Sequence, residues 1–470
     1  MAVGLAVTAI LSRLLTPSEM GVFFVGMAII GLTHVFRDLG VANYIIQEAT
    51  LSELRLRTAA TILVMMSWGM AALIALLGGH IASFYREPRL RDMMWIAALN
   101  FLVLPVAGVI SAQLRRDLAF GHIARANIAG TLANAMTAIS LALLHFHFLS
   151  LAWGTLAGTI GATAVLLYQR PALGAFRPAI SEWKRIVSFS GYSVATGLIN
   201  ELYRFAPDLI LGRVLGFSAV GLYSRAVGLT TLFNRLVLDA VDPVILPAVS
   251  AGVRNGQNIK AAYLLAIEHI TVFYWPFLMA LGLAAEAIVR VLLGSQWLEA
   301  VPITRIVAFA ALVNFPSFLT YPFLVALGRI RDTLVMSVIS VPISLAMIVV
   351  AMPYGLHAVA LSGFVSLPLQ QAVAQWFIRR RVGVSISDIA RASAKGAVVT
   401  IFASVAPAFS LLLPTASFGA ALWTLILTGS GALVGWSAGV VVTDHPVVGE
   451  VRRALDRGSR LFRQHVIGFR

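Results

Sequence analysis

TAATILVMMSWGMAALIALLGG, residues 58–79, runs for 22 residues without a charged side chain. As an α-helix it would be about 33 Å long, enough to cross a hydrocarbon core of roughly 30 Å. Similar stretches lie on both sides of it. Our approximate spans are 1–15, 20–41, 58–79, 93–113, 122–144, 150–169, 188–212, 218–244, 262–292, 300–327, 333–352, 356–378, 394–413 and 419–443. A hydrophobic content of 59% and a mean hydropathy of +0.89 supply such segments repeatedly. The pattern predicts an all-α polytopic membrane protein of about fourteen helices.

The charges predict which way round it sits. Lys and Arg collect in cytoplasmic loops because they resist translocation. From the second connection onward, alternate loops hold Arg37/Arg55/Arg57, Arg115/Arg116/Arg125, Arg170/Arg177/Lys184/Arg185, Arg254/Lys260, Arg329/Arg331 and Arg379/Arg380/Arg381/Arg391/Lys395. With Arg452, Arg453, Arg457, Arg460, Arg463 and Arg470 of the tail, these make 25 of the 35 Lys and Arg residues. Opposite loops such as 145–149, 353–357 and 414–418 carry none. The contrary loop is 80–92, where Glu87 and Asp92 partly offset Arg86, Arg89 and Arg91. Both termini are therefore expected inside, with an even number of spans.

A net charge of +15 would suggest nucleic acid in a soluble protein. Here it is read as topology plus attraction to anionic membrane lipids, with no nucleic-acid partner. The absence of Cys excludes a disulfide, a thiolate metal site and a Cys nucleophile. No loop is long enough for a soluble domain. In the tail, Val448, Val451, Leu455, Phe462 and Val466 alternate with Arg at near-helical spacing, which predicts an interfacial helix. Met1–Leu15 would form only about 22 Å of helix, so the first helix is expected to have lost N-terminal turns.

Residues 10–21, ILSRLLTPSEMG, and 210–221, ILGRVLGFSAVG, share Ile, Leu, Arg, Leu, Ser and Gly at an offset of 200. Each copy leaves an outward-going helix and turns into the next, six helices apart. An even separation would relate the halves by an axis along the membrane normal, with substrate between two bundles. The competing reading is shared turn chemistry without common origin.

The stretch SRLLTPSEMGVFFVGMAIIGLTHVFRDLGVANYIIQ, residues 12–47, resembles the N-terminal signature of the polysaccharide transporter (oligosaccharide flippase) family. That family belongs to the multidrug/oligosaccharidyl-lipid/polysaccharide exporter superfamily. DLILGRVLGFSAVGLYSRAVGL at 208–229 and PVILPAVS at 243–250 extend the resemblance. It implies two six-helix bundles, related by a pseudo-twofold along the membrane normal, that alternate between inward-open and outward-open states. A C-terminal helix pair beside them can help to form a groove for a lipid tail. The expected domains are an N-terminal bundle at 1–169, a cytoplasmic linker at 170–187 and a C-terminal bundle at 188–380. The extra pair at 394–443 and a basic cytoplasmic tail at 444–470 complete the chain.

A charged side chain at mid-bilayer costs about 2.5–3.5 kcal/mol on the insertion scale, so it should pair or face water. Glu201, Arg204 and Asp208 lie within an arc of roughly 60° on one helix, beside Asn200 and Pro207. Arg225, Arg235, Asp239 and Asp242 lie within roughly 100° on the next. The substrate-cavity candidates are Arg204, Asp208, Arg225, Glu201 and Arg235, since arginine holds pyrophosphate or acidic sugars through forked hydrogen bonds. Against this, Glu201–Arg204, Arg204–Asp208 and Arg235–Asp239 all have the spacing of local ion pairs. Arg37 and Asp38 in the FRDLG turn, with Asp239 and Asp242, are candidates for a gate or bundle contact. Asn127, Asn134 and Asn314 read as interhelical hydrogen bonds, Glu268 with His269 as a structural pair with proton carriage as the alternative, and Gly154, Gly158 and Gly161 as close-packing positions. The HxH of His145 and His147 is too weak a signal by itself for a metal site, and no GxxxxGK[ST] motif is present.

These readings converge on a transporter without cofactor, metal or catalytic residues, set in the bacterial cytoplasmic membrane. Its expected cargo is a lipid-linked oligosaccharide on an undecaprenyl-type carrier, for lipopolysaccharide or exopolysaccharide biosynthesis. Contacts with polysaccharide assembly proteins are expected. A cation-coupled multidrug exporter of the same superfamily and a membrane enzyme of polysaccharide assembly are the alternatives. An enzyme of that kind would place catalytic groups on a sizeable external loop, which this chain lacks.

Overall fold

A computed structural model describes residues 2–38, 41–48, 50–171, 173–181, 183 and 201–449. The expected helical residues 188–200, most of the tail, and the side chains of Asp38, Asp239 and Asp242 lie outside what is described. The chain opens with α1 (Ala2–Leu14), α2 (Pro17–Asp38) and the short α3 (Val41–Gln47). Four long ones follow, α4 (Glu53–Tyr85), α5 (Arg89–Arg116), α6 (Phe120–Leu143) and α7 (Leu149–Gln169). Next come α8 (201–214), α9 (Phe217–Thr230), a π-turn at Asn234–Leu238 and α10 (Asp239–Arg254). They lead to α11 (Ile259–Leu283), α12 (Ala285–Leu292), α13 (Ala300–Ala311) and α14 (Ser317–Ala326). The chain continues through α15 (Ile330–Ala351), α16 (Leu356–Leu361), α17 (Gly363–Val382), α18 (Ile386–Phe409) and α19 (Phe418–Val442).

Among the described residues ten helices are long and apolar enough to cross a membrane, and no strand occurs. The chain is an all-α polytopic membrane protein. Much of α15 and α19 is left uncovered by protein, and Val350, Leu433 and Val441 stand out from them. Such apolar faces suit contact with lipid. The apolar stretches break where the backbone chemistry changes. Pro316, which brings no N–H, separates α13 from α14, and a π-turn interrupts the expected span 218–244.

The chain divides into two compact units. One is drawn from Met1–Ser224 with Leu292–Gln296, the other from Arg225–Val291 with Trp297–Arg470. In the first unit, α6 and α7 meet at small residues. A Cβ on Gly158 would fall 2.9 Å from the Gly130 carbonyl oxygen, and one on Gly154 2.8 Å from the Ala138 Cβ. Removing side chains there lets the helices approach closely. Thr16 caps α2: its Oγ1 accepts from the Glu19 amide at 3.3 Å, and the Glu19 carboxylate accepts from the Thr16 amide at 2.7 Å.

The two copies of the ILxRxL repeat touch within this unit. A Cβ on Gly21 would lie 1.8 Å from the carbonyl oxygen of Phe217, and one on Gly221 would lie 2.0 Å from that of Pro17. Positions 17 and 217, like 21 and 221, correspond at the offset of 200, so the contact is reciprocal. Gln296 closes the end of α1, its Nε2 donating to the Ser12 and Leu15 carbonyls at 2.5 and 2.8 Å. On a different loop, Arg116 donates to the Ile45 and Glu48 carbonyls at 3.0 and 2.6 Å, covering the C-terminal end of α3.

In the second unit, α18 and α19 form a hairpin that packs on α11. A Cβ on Gly396 would come within 2.6 Å of Thr271 Oγ1, and one on Gly435 within 2.2 Å of the Phe402 carbonyl. The Trp436 indole donates to the Val272 carbonyl at 2.8 Å and stacks on Phe273 at 5.4 Å. Ser385 and Asp388 form a capping box for α18, which Lys260 joins at 2.6 Å. Arg381 of α17 grips Asp332 of α15 through two bonds of 2.6 and 3.2 Å.

Candidate functional site

In the first unit, α8 carries three of the candidate charges, Glu201, Arg204 and Asp208, and α9 turns back along it. Arg204 meets Glu201 at 3.9 Å and lies over the Phe205 ring at 5.1 Å, yet its side chain is 69% exposed. Of the ion pairs allowed by spacing, Glu201–Arg204 is made and Arg204–Asp208 is not. Asp208 instead accepts from the Ser224 hydroxyl at 2.5 Å. Sequence reasoning missed Ser224, although a signal existed. Asp208 and Ser224 stand at nearly equal distances on either side of the turn at 215–216, as facing residues of an antiparallel helix pair do.

Pro207 has no N–H to give to the Tyr203 carbonyl, which loosens the middle of α8. The Tyr85 hydroxyl of α4 supports the next turn by donating to the Leu209 carbonyl at 3.3 Å. A Cβ on Gly31 of α2 would be 2.0 Å from the Phe205 ring, and one on Gly212 would be 2.7 Å from Val25. α8 is thus held against both α2 and α4.

A second polar cluster sits between α2 and α5. The Arg37 guanidinium lies 5.9 Å from the Phe101 ring centre, and the His34 ring is 4.9 Å from the same ring. Buried Asn100 stands beside Phe101, its Oδ1 without a hydrogen-bond partner among the described residues. Arg37 was expected here; His34 and Asn100 were not.

In the second unit, Arg225 lies over Trp297, a fully buried ring, at 5.9 Å. Arg235 is exposed within the π-turn. That turn winds more than 3.6 residues per revolution, so the straight-helix arc joining Arg225 to Arg235, Asp239 and Asp242 does not carry across it. Glu268 pairs with Lys395 at 3.4 Å, and the His269 ring meets His445 at 5.9 Å. Asn314 accepts from Gln371 at 2.8 Å, an interhelical bond as its sequence setting suggests. Between α11 and α18 lies an apolar crevice of about 300 Å³, lined by Trp275, Met279, Leu312, Ala397, Thr400 and Ile401. Among the described residues no cluster of three or more His, Asp or Glu could hold a metal ion.

The fold defines a polytopic helical membrane protein. The sequence model for the polysaccharide biosynthesis protein family matches residues 10–302, and the chain belongs to that family. It is 22% identical to the lipopolysaccharide biosynthesis protein WzxC of Escherichia coli K12, over 97% of this chain and 94% of that protein. It is 24% identical to the succinoglycan biosynthesis transport protein ExoT of Rhizobium meliloti, over 68% of this chain and 65% of that protein. The fold resembles the inward closed conformation of the lipid II flippase MurJ, with a TM-score of 0.75 and 13% identity. That likeness covers 93% of this chain and 96% of MurJ.

Proposed function

We propose that this chain moves a lipid-linked oligosaccharide across the cytoplasmic membrane by alternating access, for surface polysaccharide biosynthesis. It acts as a transporter, not an enzyme. Family membership and relatives named for polysaccharide biosynthesis and transport support the cargo class. The observation that carries the mechanism is Arg204. A 69% exposed arginine on an apolar helix, with one carboxylate at 3.9 Å, has donors left for an anionic headgroup.

In this reading Arg204, with Glu201, Asp208, Arg225 and Arg235 as further candidates, receives the pyrophosphate or acidic sugar of an undecaprenyl-type lipid. Arg37, Asp38, Asp239 and Asp242 serve gating or bundle contact. Fourteen spans with both termini inside place the basic loops against anionic lipids, and contacts with assembly proteins fall on that side. The apolar crevice beside α18 suits a lipid tail, which stays in the bilayer while the headgroup crosses.

The test uses proteoliposomes and a fluorescent oligosaccharide on undecaprenyl pyrophosphate, scored by accessibility to an external quencher. Transport requires acceleration over empty vesicles; equal rates reject the reading. Arg204→Ala should slow the step about tenfold or more, the loss of one charge-assisted hydrogen bond of roughly 1.5–3 kcal/mol. An unchanged rate removes Arg204 from the site.

A further inference from the structure

Arg381, near the end of α17, grips Asp332, near the start of α15, through bonds of 2.6 and 3.2 Å. Arg329 and Arg380 also stand close enough to act on this carboxylate. Neither makes an ion pair with a described residue. One carboxylate thus serves three guanidinium groups, and the surplus is positive. Basic residues elsewhere are more fully committed. Arg57 pairs with Glu53, Arg170 with Asp117, and Lys260 and Arg391 share Asp388. The surplus beside Asp332 is not used in holding the fold.

What adjoins it is apolar and open. Ile330, Leu334 and Val338 follow one another at four-residue steps along α15, and they are 59%, 43% and 53% exposed. They form a stripe about 12 Å long that starts at the arginines. On α17, Arg380 covers the exposed Trp376 ring at 5.4 Å, and that ring abuts Phe377 at 4.8 Å. Tryptophan at the end of an apolar helix marks the level at which a bilayer passes from hydrocarbon to headgroup. Guanidinium groups offer forked hydrogen bonds to phosphate oxygens. The open stripe offers a surface for an acyl chain, which a soluble phosphate would leave unused.

We propose that the paired ends of α15 and α17 form a binding site for one anionic phospholipid of the phosphatidylglycerol type. Its phosphodiester lies between Arg329 and Arg380, and an acyl chain runs along Ile330, Leu334 and Val338. The lipid supplies the negative charge that Asp332 alone does not, and it ties α15 to α17 within the second unit. The site requires a bilayer and is independent of what the chain transports.

The test places the full chain in vesicles of one fixed mixture of phosphatidylglycerol and phosphatidylcholine. Bromine is carried on the acyl chains of either lipid in turn, and it quenches nearby tryptophan. The Trp376 share is the difference between a chain and its Trp376→Phe counterpart. At equal mole fractions of brominated lipid, phosphatidylglycerol should quench that share about fivefold more strongly, the weight of one arginine beside an anionic surface. Arg329→Gln should lower the ratio about threefold or more. Arg254→Gln, which removes the same charge from the end of α10, should leave it unchanged. Asp332→Asn should raise it, because Arg381 is then released to the headgroup. Equal quenching by the two lipids in the native chain overturns the site. A ratio lowered alike by Arg329→Gln and Arg254→Gln also overturns it, since general surface attraction then suffices. A fall in Asp332→Asn assigns the arginines to packing α15 on α17 and overturns binding. Phosphate exchanged for chloride at equal ionic strength should leave the ratio intact. If phosphate abolishes the preference, the ligand is free phosphate and the lipid site is rejected.

Discussion

At the residue scale, the arginines of this chain divide by what they touch. The cytoplasmic-loop majority was read as topology, and several also hold the fold. Arg116 covers carbonyls of α3, Arg381 grips Asp332 and Arg170 bonds Asp117. Arg89 explains the loop that breaks the pattern. It binds Glu87 through two bonds of 2.8 Å and reaches the Ser18 hydroxyl at 3.2 Å. The Arg89 hydrogen bonds hold the Glu87 carboxyl below the usual carboxylate range. A depressed folded value contributes stability above the unfolded pKa, near 4.3, and loses it as pH falls through the lower folded one. Glu87→Gln should therefore reduce apparent melting stability modestly at pH 7, by about 1 kcal/mol or less for a partly exposed pair. The difference from the native chain should shrink as the pH falls below the unfolded value and Glu87 takes up its proton; a pH-independent difference would assign the effect to packing. Beside this pair, Glu19 meets His147 at 2.7 Å, giving the HxH loop a structural partner.

At the element scale, the repeat was legible as a pattern, but its use was not. Gly21 and Gly221 each admit the backbone of the other copy, a contact of the reciprocal kind that a twofold relation generates. A side chain at either position would strike a carbonyl oxygen, which cannot turn away as a flexible side chain could. Gly21→Val and Gly221→Val should each destabilise by about 1–3 kcal/mol, the usual range for overpacking. Matched losses of thermal stability in detergent would support the reciprocity; a large loss at one site alone would refute it. Element boundaries were less legible. The spans 262–292 and 300–327 each divide in two, because hydropathy is blind to where a backbone hydrogen bond is missing. The same blindness hid the π-turn, and with it the break in the expected charged stripe.

At the scale of the whole molecule, the terminal hairpin of α18 and α19 earns its place through α11. Gly396 and Trp436 fix it there and leave an apolar crevice of about 300 Å³ alongside. If that crevice takes a lipid tail, Ala397→Trp should fill it and weaken competition by a long-chain carrier lipid more than by a short-chain one. Equal effects on both chain lengths would separate the crevice from the tail. The substitution lies on a surface already open, so folded yield should hold.

Hydropathy and charge alone determined that the chain is an all-α polytopic membrane protein, since the bilayer imposes length and apolarity on each helix separately. Motif resemblance supplied the expected family by the same one-dimensional route. The tertiary structure decided which charges meet. Arg204 takes Glu201 and leaves Asp208 to Ser224, because partner choice depends on how α8 and α9 fold back across one turn, whereas helical spacing permitted either pairing.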